Sequence, residues 1–177
     1  MTLVSSGLVE GVRKLRDMAS SPGVSGSVAK PQAVVKLVGP QTSVATVDGF
    51  SVTSDEPEWL GGRGGGPTPS ALFCASIGFA EGFVFARLAA IQGVDFDSFE
   101  TKVEGHWDMK GMFGIDGKES AVMKLLIDTW VASQAPVEKV ADVLKLLDAR
   151  CPMTATVVKS ARLERRLWVN GREVDIS

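Results

Sequence analysis

The stretch Pro69-Ser70-Ala71-Leu72-Phe73-Cys74-Ala75-Ser76-Ile77-Gly78-Phe79-Ala80-Glu81-Gly82-Phe83-Val84-Phe85-Ala86-Arg87-Leu88-Ala89-Ala90-Ile91-Gln92 decides how this chain is read. Thr68 ahead of it can accept a hydrogen bond as an N-cap, and Pro69 has no N–H to leave unsatisfied at the first helical position. Gly93 is placed to end the helix in a left-handed conformation. Between Ser70 and Gln92 only Glu81, Arg87 and Gln92 are strongly polar, so the helix is apolar nearly all round. The length suits a membrane span, but Glu81 and Arg87 lie inside it and the flanks carry no positive bias, which favours a buried central helix. Ala71, Ala75, Gly78, Gly82, Ala86 and Ala89 form a stripe of small side chains that admits another backbone. That backbone is either the protein's own sheet or a second copy of the same helix in a dimer.

Working upstream, Gly61 to Pro69 holds five glycines and two prolines and reads as an exposed loop, a lid or an entrance to a pocket. Glycine N–H groups ahead of a helix can hold an anion, but no Gly-Lys-Ser/Thr follows, and Pro67 and Pro69 remove two of the donors. Nucleotide binding is therefore not expected. Ala33 to Val38 and Ser43 to Thr53 are rich in β-branched residues and broken by Gly39-Pro40-Gln41-Thr42 and Asp48-Gly49, which predicts strands joined by hairpins. Leu8, Val12, Leu15 and Met18 mark a short amphipathic helix over Leu8 to Ala19. Ser20 to Val28 is a connector of small residues, so residues 1–28 read as an appended helix and 29–177 as the domain proper.

Downstream, Phe99 to Met109 reads as a strand, and Ala121 to Val131 alternates Met123, Leu125, Ile127, Thr129 and Val131 on one face. Pro136 opens a second helix with Val137, Val140, Ala141, Leu144 and Leu147 on one side, closed by Cys151-Pro152. Thr154 to Val174 is strand-like, with Asn170-Gly171 as a hairpin turn. The order of strands, buried helix, strands, amphipathic helix and strands is that of an α+β fold.

The 177 residues carry a net charge of -2, with 45% apolar and 23% charged residues, which suits one globular domain and leaves no cationic excess for nucleic acid. Two cysteines and one histidine exclude a four-ligand zinc site and the multi-histidine centres, so neither a metal nor another cofactor is expected. The cysteine usage and the absence of a secretory pattern in the first twenty residues point to the cytoplasm.

Few residues remain to carry chemistry. His106 and Asp108, two apart on a strand, would share a face and could form a base oriented by a carboxylate, or a solvated strand end. Cys74 on the apolar helix and Cys151 at a helix end are candidate thiols or inert small hydrophobes. Glu81 is the most unusual ionisable group, because burial without a partner would raise its pKa. It either moves a proton or pairs with a cation such as Arg87 or an arginine at a dimer interface.

Several strings resemble the OsmC/Ohr family, the osmotically inducible and organic hydroperoxide resistance proteins. They are Asp55-Glu56-Pro57, Leu60-Gly61-Gly62, Gly66-Pro67-Thr68-Pro69, Gly105-His106-Trp107-Asp108-Met109-Lys110-Gly111-Met112-Phe113-Gly114 and Arg150-Cys151-Pro152. The resemblance implies an intertwined α+β homodimer with the central helices packed inside, and two interface pockets for a small apolar organic molecule. Phe73, Cys74, Ile77 and Ala80 would line such a pocket on this chain. It also implies a peroxidatic cysteine at the position of Ala80 and a glutamate at that of Ser70, while Cys151 stands at the resolving position. The thiol peroxidase centre is thus incomplete. Three readings stay open: an enzyme hydrolysing or cleaving a carbon–carbon bond of a small apolar metabolite, with Glu81, His106, Asp108, Ser70 or Cys151 as its groups; a thiol-dependent hydroperoxide reductase; or a non-catalytic binding dimer.

Overall fold

A computed structural model describes residues 2–21, 29–159 and 161–176. The chain divides into two compact units, Ser21–Ala75 and Met1–Ser20 with Ser76–Ser177. The expected connector at Ser20 to Val28 lies, from Pro22 on, outside the described residues.

In the smaller unit β1 (Ala33–Leu37), β2 (Thr42–Val47) and β3 (Phe50–Asp55) form an antiparallel sheet in that order. Asp48 and Gly49 turn β2 into β3 with φ of 49° and 84°, the left-handed pair that a two-residue hairpin with matching twist requires. After a 3-10 turn at Glu58–Leu60 the glycine-rich loop leads into α2 (Pro69–Gln92). Thr68 caps this helix as expected, its Oγ1 accepting from Ala71 N–H at 3.3 Å. Val34, Val35, Leu37 and Phe50 are exposed, and Asp55 is the only buried residue among those described in this unit.

The larger unit is built on the sheet β4-β5-β6-β7, with β4 (Ser98–Trp107), β5 (Val122–Ala132), β6 (Arg162–Val169) and β7 (Arg172–Val174). β4 and β5 are antiparallel, whereas β5 and β6 run parallel. A parallel pair needs a long crossover. It is supplied by α4 (Val137–Arg150) and α5 (Pro152–Val157). Phe99, Thr101 and Val103 share a face with Ile127, Thr129 and Val131, and with Arg165, Leu167 and Val169. Phe85, Leu88 and Ala89 of α2 and Val140, Leu144 and Leu147 of α4 join that core. Each fully buried aliphatic or aromatic side chain there contributes about 1.5–3 kcal/mol. The helix α1 (Ser6–Ser20) is tied to this unit by Leu3 N–H donating to Phe96 O at 2.8 Å and by the buried Val12.

One open reading is narrowed and two expectations are corrected. Gly78 and Gly82 of the small-residue stripe face the protein's own sheet, one of the two backbones weighed for it: a Cβ at Gly78 would meet Thr101 and Val103 at 3.5 and 3.6 Å, and one at Gly82 would meet Phe99 at 3.7 Å. The strand expected through Met109 ends at Trp107, because Asp108 caps a short helix, α3 (Met109–Met112), by accepting from Lys110 N–H at 2.9 Å. The segment from Thr154, read as strand, begins inside α5. Pro152 presets the first helical turn, and tertiary contacts override the β-branched Thr154, Thr156 and Val157.

Candidate functional site

The larger unit buries a charged cluster between its sheet and its helices. Glu81 on α2 is 0% exposed. Arg165, projecting from the core face of β6 and 4% exposed at its side chain, grips it with two nitrogens, Nη1 to Oε2 at 2.9 Å and Nη2 to Oε1 at 2.6 Å. Thr154 Oγ1 donates to Oε1 at 2.7 Å from α5. Asp148 of α4 pairs with Arg165 Nη2 at 2.5 Å. Such two-pronged, charge-assisted contacts are the strong kind of hydrogen bond. Burial, the largest influence on Arg165, works against its charge, but Glu81 and then Asp148 outweigh it and raise the guanidinium above its ordinary pKa. Burial first, and the Glu81 charge after it, hold Asp148 above the usual carboxylate range despite Arg165.

The smaller unit buries a carboxylate differently. Asp55, 2% exposed, accepts from Gly65 N–H at 3.0 Å and Arg63 N–H at 3.2 Å through Oδ2, and from Thr42 Oγ1 and Glu56 N–H, both at 3.0 Å, through Oδ1. The Gly65 N–H is the largest cause of its pKa lying below the ordinary value; burial opposes it, and the Thr42, Arg63 and Glu56 bonds add to it. The glycine-rich loop is therefore a backbone nest around an anion, but the anion is the chain's own side chain. Gly62 packs where a Cβ would overlap the Glu56 carbonyl, so only glycine fits that approach.

The other residues singled out from sequence are not gathered around Glu81. His106 lies on the opposite face of β4, with Nε2 2.9 Å from Glu104 Oε1 rather than beside Asp108, whose carboxylate is the cap of α3. Cys151 is fully buried in the apolar core at the junction of α4 and α5. Ile77 is buried and Ala80 packs against the core, while Phe73 and Cys74 are half-buried on the first turns of α2, which belong to the smaller unit. Ser70, also there, shares a hydrogen bond of 3.0 Å with Thr68. Arg87, the first cation weighed as a partner for Glu81, is exposed. Among the described residues no group of three or more His, Cys, Asp or Glu could hold a metal ion. Arg165, Thr154 and Asp148 were not singled out, although one signal was available: Leu163, Arg165, Leu167 and Val169 alternate onto one face, and an arginine in an apolar row calls for a buried anion.

The fold is shared with solved structures at low sequence identity. An OsmC-like protein from Mycoplasma pneumoniae superposes with a TM-score of 0.70 at 15% identity, over 80% of this chain and 97% of that one. An organic hydroperoxide resistance protein OsmC from Legionella pneumophila gives 0.60 at 15%, over 80% and 100%. A Vibrio cholerae protein described as an organic hydroperoxide resistance protein, with captopril in one of its active sites, gives 0.61 at 14%, over 85% and 98%. Among curated proteins no sequence matches. The family model for OsmC-like proteins matches residues 62–164, more than half of the chain, and with the shared fold this shows that the chain belongs to the OsmC-like protein family.

Proposed function

We propose that this chain forms a homodimer that binds a small apolar organic molecule at a pocket on the dimer interface, in the cytoplasm, and does not reduce hydroperoxides by thiol chemistry. The exposed face of α2 carries the reading. Phe79 and Phe83 are 68% and 65% exposed on a helix whose opposite side is packed on its sheet, and large apolar surface of that kind marks an interface. A peroxidase needs an accessible thiolate, whereas Cys151 is sealed in the core and the family resemblance implies Ala80, which has no thiol, at the peroxidatic position. Captopril in the Vibrio protein supports a pocket for small organic molecules in this fold. The hydrolytic or carbon–carbon-cleaving reading has less support, because both oxygens of Glu81 are already held by Arg165 and Thr154. We read Glu81 as structural.

A second reading, a thiol-dependent hydroperoxide reductase, is favoured by the half-exposed Cys74. Sedimentation at micromolar concentration is expected to give a species of twice the 18.7 kDa chain mass, and Phe79→Asp with Phe83→Asp to give a monomer. A wild-type monomer would refute the dimer. Cumene hydroperoxide with a dithiol should show no turnover, and turnover lost in Cys74→Ala would establish the second reading.

A further inference from the structure

The chain has a single asparagine, Asn170, and the residue after it is Gly171. Glycine after asparagine favours loss of the side-chain amide, because no Cβ shields the next backbone nitrogen. That nitrogen can attack the side-chain carbonyl carbon and close a succinimide ring. A carbon–nitrogen bond forms, the Cγ–Nδ2 bond breaks, and ammonia leaves with the proton of the Gly171 nitrogen. Water then opens the ring to aspartate or to isoaspartate, so the reaction needs no other partner.

The fold uses this amide as a latch. At the C-terminal ends of the parallel strands β5 and β6, Asn170 N–H donates to Val131 O at 2.8 Å, its Oδ1 accepts from Ser133 N–H at 2.9 Å, and its Nδ2 donates to Ser133 O at 2.7 Å. Ser133 is 2% exposed, and its own hydroxyl donates to Asp95 O at 2.5 Å and accepts from Ala135 N–H at 3.0 Å. Asn170 itself is exposed on the hairpin, with φ of 50°. Its carboxamide is held as donor and acceptor at once, and cyclisation has to pull it off Ser133. An aspartate cannot take its place, because it has no N–H for Ser133 O and would set a charged oxygen against that buried carbonyl. Isoaspartate adds a backbone carbon to a two-residue turn that fixes the register of β7 on β6.

We infer that Asn170 is a spontaneous deamidation site gated by the Ser133 latch, and that the product prevents the latch from closing again. Because the chain has no other asparagine, the gain in intact mass reads this site, and a peptide map locates it. In mildly alkaline buffer the folded chain should convert at least about tenfold more slowly than the same chain in urea. Ser133→Ala removes the hydroxyl bonds but keeps the backbone groups that Asn170 uses, and it should speed conversion of the folded chain. Asn170→Gly, which suits the left-handed turn, should abolish the mass gain. Asn170→Asp, the product itself, should lose the hydrogen-exchange protection that wild type retains at Ser133 N–H. Equal rates folded and in urea, no acceleration in Ser133→Ala, a mass gain that survives Asn170→Gly, or full Ser133 protection in Asn170→Asp would each overturn the inference.

Discussion

Glu81 of the larger unit and Asp55 of the smaller are both buried carboxylates, yet the two are neutralised by opposite means. In the larger unit Glu81 meets a guanidinium and a hydroxyl from β6 and α5, inside a core of leucine, valine and phenylalanine. In the smaller unit Asp55 meets backbone N–H groups and one threonine, and no apolar side chain described there is buried. The difference separates two sources of order. A formal charge pair costs much desolvation and is tolerated where packing holds both partners in place. A carboxylate in a nest of amides organises a loop that has no core to lean on.

The sharpest break of this comparison is Arg165→Met, which leaves Glu81 charged and unpaired in the core. We expect a loss of about 3–5 kcal/mol in denaturant unfolding, and recovery of most of it in the double variant with Glu81→Leu. A double variant as weak as the single one would show that packing of Arg165, rather than its charge, matters. Asp55→Asn should have a smaller effect, confined to the loop, because it turns a donor toward the Arg63 and Gly65 amides. Asp55 titrates below its ordinary value when folded, so its contribution is complete above the usual carboxylate range and fades as the pH falls through the depressed value. Hydrogen-exchange protection of Gly65 should drop in the variant at neutral pH and match wild type in strong acid. The smallest effect is expected for Asp148→Asn. The folded pKa of Asp148 is raised, so the stability it contributes is present below the ordinary value and lost as pH rises through the folded one. The variant should equal or slightly exceed wild type in Tm at neutral pH and lose that advantage toward about pH 4.

The regular elements were legible where local chemistry agrees with the fold. Thr68-Pro69 and Gly93 bracket α2, and Asp48-Gly49 and Asn170-Gly171 mark both hairpins. Asn170 adds a tertiary role that its turn signal hides, since its amide bonds Ser133 N–H and O at 2.9 and 2.7 Å and extends the edge of β5. α5 was hidden because Cys151-Pro152 reads as a stop while Thr154, Thr156 and Val157 favour strand; its Thr154 is held by Glu81, a contact 73 residues away. Glu81 was visible as an anomaly, but its partner was not, since nothing local to α2 points to β6. Asp55 was visible only within a motif. What it does depends on where the loop amides point, which only the folded backbone reveals.

Glu81 and Arg165 are 84 residues apart, and this spacing has a consequence during synthesis. At about 5–20 residues per second, Arg165 follows Glu81 from the ribosome by roughly 4–17 s. Throughout that interval α2 is a 24-residue segment that is, by length and composition, apolar enough to cross a membrane. A carboxylate at the centre of such a segment costs about 2.5–3.5 kcal/mol on translocon insertion scales. Until its guanidinium arrives, the unpaired Glu81 disfavours diversion of the nascent helix into lipid.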